Sequence, residues 1–129
     1  MRFDLVDGVV ERTESHAVTR KNITNAEEYL RDHFPTFPVL PGVLMLESLV
    51  QAARLVGAAR SPGVPLVLGS VRALRYGRFM KPGDTLRVSV KLLKSDNHTH
   101  EFSGEGTDEA TGEAAVSGKF SLRPLNLCR

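Results

Sequence analysis

A chain of 129 residues suits one hydrophobic core, so a single domain over 1–129 is expected. With 41% apolar and 25% charged residues the balance is that of a globular protein, and a net charge of +2 with 6% aromatics argues against nucleic-acid binding. No apolar run spans a membrane and MRFDLVDG lacks a signal-peptide core, while Cys128 is the single cysteine. A cytoplasmic protein without disulfide frameworks or multi-cysteine zinc sites is therefore expected.

In chain order, Phe3 to Arg12 and His16 to Ile23 read as two strands around a Thr13-Glu14-Ser15 turn, with β-branched Val9, Val10, Val18 and Ile23. Thr24 or Asn25 can cap a short helix through Glu27, Glu28, Tyr29 and Leu30, whose early acidic residues suit the helix dipole.

That helix delivers the chain to His33. Pro35, Pro38 and Pro41 follow, each fixing its own φ and pushing its predecessor out of the helical region, so the segment stays extended. Pro41 suits the first position of a helix, and from Gly42 to Ala59 only Glu47, Ser48, Gln51 and Arg54 are polar. A helix so apolar round its circumference is expected to be buried on most sides.

Glu47 is the exception in that helix. It lies five residues past Gly42, about 7.5 Å along the axis. One reading pairs it with Arg54 two turns on, or with Gln51 at i+4. The other makes it a catalytic carboxyl facing a histidine. His33, Glu47 and the free N–H groups of the helix start would then supply a general base, a general acid and an oxyanion site.

Arg60-Ser61-Pro62-Gly63 is a loop, and Pro65 to Met80 reads as a long strand with bends near Gly69, Arg75 and Gly77. After the Lys81-Pro82-Gly83-Asp84 turn, Leu86, Val88, Val90 and Leu92 alternate with Arg87, Ser89 and Lys91. His100 to Thr107 forms the next strand, and in the last one Ala114, Val116, Gly118, Phe120 and Leu122 alternate with Ala115, Ser117, Lys119 and Ser121. One long helix followed by four antiparallel strands is an α+β layout. A sheet on one side of such a helix leaves apolar circumference over, so either the sheet wraps it or a second copy covers it.

HFPTFPVLPGVLMLESLVQAA resembles the signature of the 3-hydroxyacyl-[acyl-carrier-protein] dehydratases, the FabZ type in particular. The matching features are His-Phe-Pro, Pro-Val-x-Pro-Gly-Val, a Glu fourteen residues after the His and a Gln four later. Weaker likeness extends to LVDGVVE and RFMKPGDTLRVSVKLLK. The resemblance implies a hotdog fold, a long central helix wrapped by an antiparallel β-sheet. It also implies a homodimer or trimer of dimers in which His and Glu come from different subunits. Asp32 departs from the glycine common before the histidine, and a carboxylate turned toward the imidazole would favour its charged form.

The implied reaction removes water from a 3-hydroxyacyl thioester to give a trans-2-enoyl thioester. His33 would be the base and Glu47 the acid or water-positioning carboxyl, with burial among leucines and valines keeping part of it protonated. Gly42, with Val43, would form the oxyanion and substrate-binding site, Gln51 would orient Glu47, and Pro41 would support the turn. No cofactor and no metal are expected. His98 and His100 could point to one face of a strand, yet lack a third ligand, which favours a hairpin edge over a metal site. Arg72, Arg75, Arg78 and Lys81 read as a solvated rim that would suit an acidic acyl carrier protein, with acyl-CoA as the other possible partner. Two further readings stand beside the dehydratase: a hotdog thioesterase using Glu47 to activate water, and a non-catalytic acyl-carrier-binding module.

Overall fold

The computed structural model describes residues 6–23, 42–77, 80–81, 83–96 and 98–125. Within them lie β1 (Gly8–Arg12), β2 (His16–Asn22), α1 (Gly42–Arg60), β3 (Leu66–Tyr76), β4 (Thr85–Asp96), β5 (Thr99–Asp108) and β6 (Ala114–Pro124). The expected short helix at residues 27–30 falls outside the described residues, as do Phe3 and its neighbours.

The strands form one sheet in the order β1-β2-β4-β5-β6-β3, with every neighbouring pair antiparallel. α1 lies against β2, β3, β4, β5 and β6, so five of the six strands meet it. This is the α+β hotdog layout. β3 returns to the far edge beside β6, where its other side carries no strand among the described residues.

The alternation of β4 explains how the sheet meets the helix. Leu86, Val88 and Val90 are fully buried, whereas Ser89 and Lys91 are exposed. On β5 the inward positions are His100, Phe102, Gly104, Gly106 and Asp108. A Cβ on Gly104 would sit 3.1 Å from the Phe120 ring, 3.3 Å from Val90 and 3.4 Å from Leu49 of α1. The missing side chain thus lets α1 settle close to the sheet. Beside it the Phe102 and Phe120 rings stack with centroids 5.7 Å apart.

Two strands depart from simple alternation. β3 shifts register between Leu68 and Val71 and again between Arg72 and Arg75, and Ala73 between them takes a left-handed φ of 53°. In β6 a shift against β5 exposes Ala114 and buries Ala115, the reverse of the expected faces, while Val116, Phe120 and Leu122 keep theirs. α1 stops where Ser61 N–H donates to the Gly57 carbonyl at 2.8 Å and Pro62-Gly63 turn the chain away, with Gly63 at φ +76°. Arg60 in the last turn suits the negative end of the helix.

Candidate active site

The buried side of α1 is made by Met45, Leu49, Ala52, Ala53 and Val56, all 2% exposed or less. Leu44, Glu47, Gln51, Arg54 and Leu55 are half-buried and Ala58 is exposed. Successive spacings of three and four residues line these up on one open stripe. The helix is therefore buried on most sides, as expected, with one stripe that its own chain leaves open.

Glu47 lies on that open stripe. Its side chain is 37% exposed and its Oε1 is 3.5 Å from Nη1 of Arg54. The expected enclosure of Glu47 among leucines and valines is thus absent in the single chain: Met45, Leu49 and Val56 point to the other side, and Leu44 beside it on the stripe is itself only half-buried. The Arg54 pairing read from the i, i+7 spacing is present. Arg54 also donates from Nε to the Leu66 carbonyl at 3.2 Å, a contact with the start of β3 that helix spacing alone does not reveal.

Gly42 is the first described residue of α1, and Gly42 and Val43 both belong to the helix. Gln51 is half-buried one turn beyond Glu47 on the same stripe. His33, Pro41 and Asp32 lie outside the described residues, as does Arg78. Of the other cations singled out in the sequence, Arg72 pairs with Glu101 Oε1 at 3.0 Å and Lys81 with Asp84 Oδ1 at 3.5 Å. Arg75 is exposed and makes no ion pair among the described residues.

The two histidines expected at a hairpin edge are placed differently. His98 is in the turn, whereas His100 is 1% exposed on the inner face of β5. Ser61 Oγ lies 2.9 Å from His98 Nδ1 and 2.8 Å from His100 Nε2, and Ser95 Oγ lies 2.8 Å from His100 Nδ1. Burial, the Arg60 charge and His98 together hold the His100 imidazole below the ordinary histidine value. This polar cluster escaped the sequence reading, since its members come from the end of α1 and from both strands of a hairpin. Among the described residues no group of three or more His, Cys, Asp or Glu could hold a metal ion, and no helix is long and apolar enough to cross a membrane.

Comparison with known proteins adds to this geometry. The family model described as ApeI-like, ApeI dehydratase, matches residues 9–119. The 3-hydroxyacyl-[acyl-carrier-protein] dehydratase FabZ of Clostridium perfringens strain SM101 is 37% identical over 120 residues, covering 92% of this chain and 85% of that protein. Among solved structures, the dehydratase heterocomplex ApeI:P from Xenorhabdus doucetiae superposes with a TM-score of 0.75 at 19% identity, over 96% of this chain and 84% of that one. The smu.793 protein from Streptococcus mutans UA159, solved bound to acetyl CoA, gives a TM-score of 0.74 at 17% identity, over 98% and 93% of the two chains.

Proposed function

The chain belongs to the ApeI-like dehydratase family, and from that premise we propose that it removes water from a 3-hydroxyacyl thioester carried on an acyl carrier protein. The product is the trans-2-enoyl thioester, as in fatty-acid or related acyl-chain synthesis. The observation that carries this reading is the position of Glu47: a carboxyl on the one open stripe of an otherwise buried helix, five residues from the Gly42 start.

The reaction breaks the C2–H and C3–O bonds and forms the C2=C3 double bond. His33 takes the C2 proton as charge builds on the thioester oxygen. The Gly42 N–H, at the open end of α1, donates to that oxygen, and a glycine lets the thioester approach the backbone closely. Glu47 handles the departing hydroxyl, as acid or as water-positioning carboxyl, and it leaves as water. Val43 borders the thioester, Gln51 orients Glu47 and Pro41 keeps the entry to the helix rigid. The elimination is redox-neutral, so no electron carrier enters the balance.

The working unit in this reading is a homodimer of single-domain chains, in which the partner copy covers the open stripe of α1 and contributes His33 beside Glu47. The edge of β3, which no strand pairs among the described residues, and the half-exposed Leu44 and Leu55 support it. The carrier protein is preferred to coenzyme A as the donor because of the name of the 37% identical relative, and the exposed Arg75 suits an acidic partner.

The test offers crotonyl thioesters of acyl carrier protein and of coenzyme A and follows enoyl absorbance beside free-thiol release. Loss of absorbance without thiol release supports the dehydratase, run in its hydration direction. Thiol release without hydration would make the chain a thioesterase, and neither signal would leave a binding module.

A further inference from the structure

We infer that Arg54 is a positioning residue for Glu47 in the dehydration proposed above, on which this inference rests. The guanidinium bridges two elements: Nε donates to the Leu66 carbonyl at the start of β3, at 3.2 Å, and Nη1 lies 3.5 Å from Glu47 Oε1. Because the guanidinium is planar and rigid, fixing Nε on a backbone carbonyl also fixes the direction in which Nη1 points. The carboxylate two turns earlier on the helix meets a donor whose place is set by the sheet, not by the flexible arginine stem alone.

Packing does not do this work. Arg54, Ala58, Val64 and Leu66 line a hollow of about 200 Å³, so the arginine head borders open space and its aim depends on the two polar contacts. Among the described residues Arg54 is the one cation that reaches Glu47. Oε1 is engaged by Arg54, and Oε2 makes no hydrogen bond among the described residues, so Oε2 is the oxygen left for the substrate hydroxyl. A freely rotating carboxylate would have to be ordered anew in each turnover, and small misplacements of reacting groups are expensive in rate.

Within the single chain both side chains are more than a third exposed, at 39% and 37%, so the pair adds little to the stability of the chain's own fold. A positioning role therefore separates cleanly from a structural one. Arg54→Gln is expected to lower kcat for crotonyl-thioester hydration about tenfold with KM unchanged and the melting temperature close to wild type. Arg54→Lys, which keeps the charge but has no planar fork, is expected to recover part of that loss. In a Glu47→Gln background the Arg54→Gln change is expected to cause no further loss, because both act through one group. The inference is overturned if Arg54→Gln keeps full kcat, raises it, or reduces it equally in both backgrounds. If Arg54→Gln does not fold, Arg54→Lys carries the same test. A wild-type protein without hydration activity removes the dehydratase reading itself, whereas an active wild type with an equally active Arg54→Gln removes only the role of Arg54.

Discussion

Ser61 Oγ sits 2.8 Å from Nε2 of His100, pinning the turn that ends α1 to the first inward residue of β5. With Ser95 on the other ring nitrogen, the neutral imidazole has a partner at both ends inside the fold. The groups facing it are Ser61, Ser95, His98 and the Arg60 charge, so a proton there is opposed by burial and by two neighbours of like sign.

Stability should consequently depend on pH through His100. Its folded value is lowered, so the unfolded chain takes up the proton first as pH falls. The contribution is complete above about pH 6.5, the ordinary histidine value, and is lost progressively below it. Urea midpoints between pH 8 and pH 5 are expected to fall more steeply for wild type than for His100→Gln. Parallel curves for the two proteins would contradict the assignment.

Ser61→Ala removes the hydroxyl that satisfies both rings, leaving a buried nitrogen without its partner. The expected loss is about 1–3 kcal/mol in denaturant unfolding. A value within error of wild type would mean that water replaces the hydroxyl without penalty.

Gly104→Val places two methyl groups where even a Cβ would stand 3.1 Å from the Phe120 ring and 3.4 Å from Leu49. Overpacking at this helix-to-sheet contact is expected to cost about 1–3 kcal/mol, measured as a lowered melting temperature. An unchanged melting temperature would show that α1 can ride higher on the sheet.

Much of this architecture is legible in the residues. Leu86, Val88 and Val90 alternate with polar neighbours, and only a half-buried strand satisfies that pattern; Gly42 to Ala59 has no breaker but Gly57 and can only be helix. The faces of Ala114 and Ala115 are not legible, since a register shift against β5 reverses them and depends on how two strands meet. His100 looks like a hairpin-edge residue until the end of α1 brings Ser61 over it. For Glu47, the apolar pattern reveals a helix in need of cover but not whether its own chain or another supplies it. The same pattern makes Arg54 visible as a partner of Glu47 and hides its tie to Leu66, which lies across a loop.

The shared-site dimer has its own test. His33→Ala and Glu47→Gln chains, co-expressed in equal amounts, give mixed dimers with one intact site if the two groups come from opposite subunits. Random pairing makes half the dimers mixed, so activity is expected to recover to roughly a quarter of wild type. No recovery from a mixture verified by tag pull-down would put His33 and Glu47 to work within one chain.

In the proposed reaction Glu47 acts on the hydroxyl and His33 on the C2 proton of a thioester. Steady-state hydration of crotonyl-acyl carrier protein by wild type, His33→Ala and Glu47→Gln, with free thiol followed in the same cuvette, tests it most directly. Each variant is expected to lose at least about a hundredfold in kcat, the scale of a missing acid–base group, with no thiol released by any of the three. A Glu47→Gln protein that hydrates the enoyl thioester at near wild-type rate would contradict it.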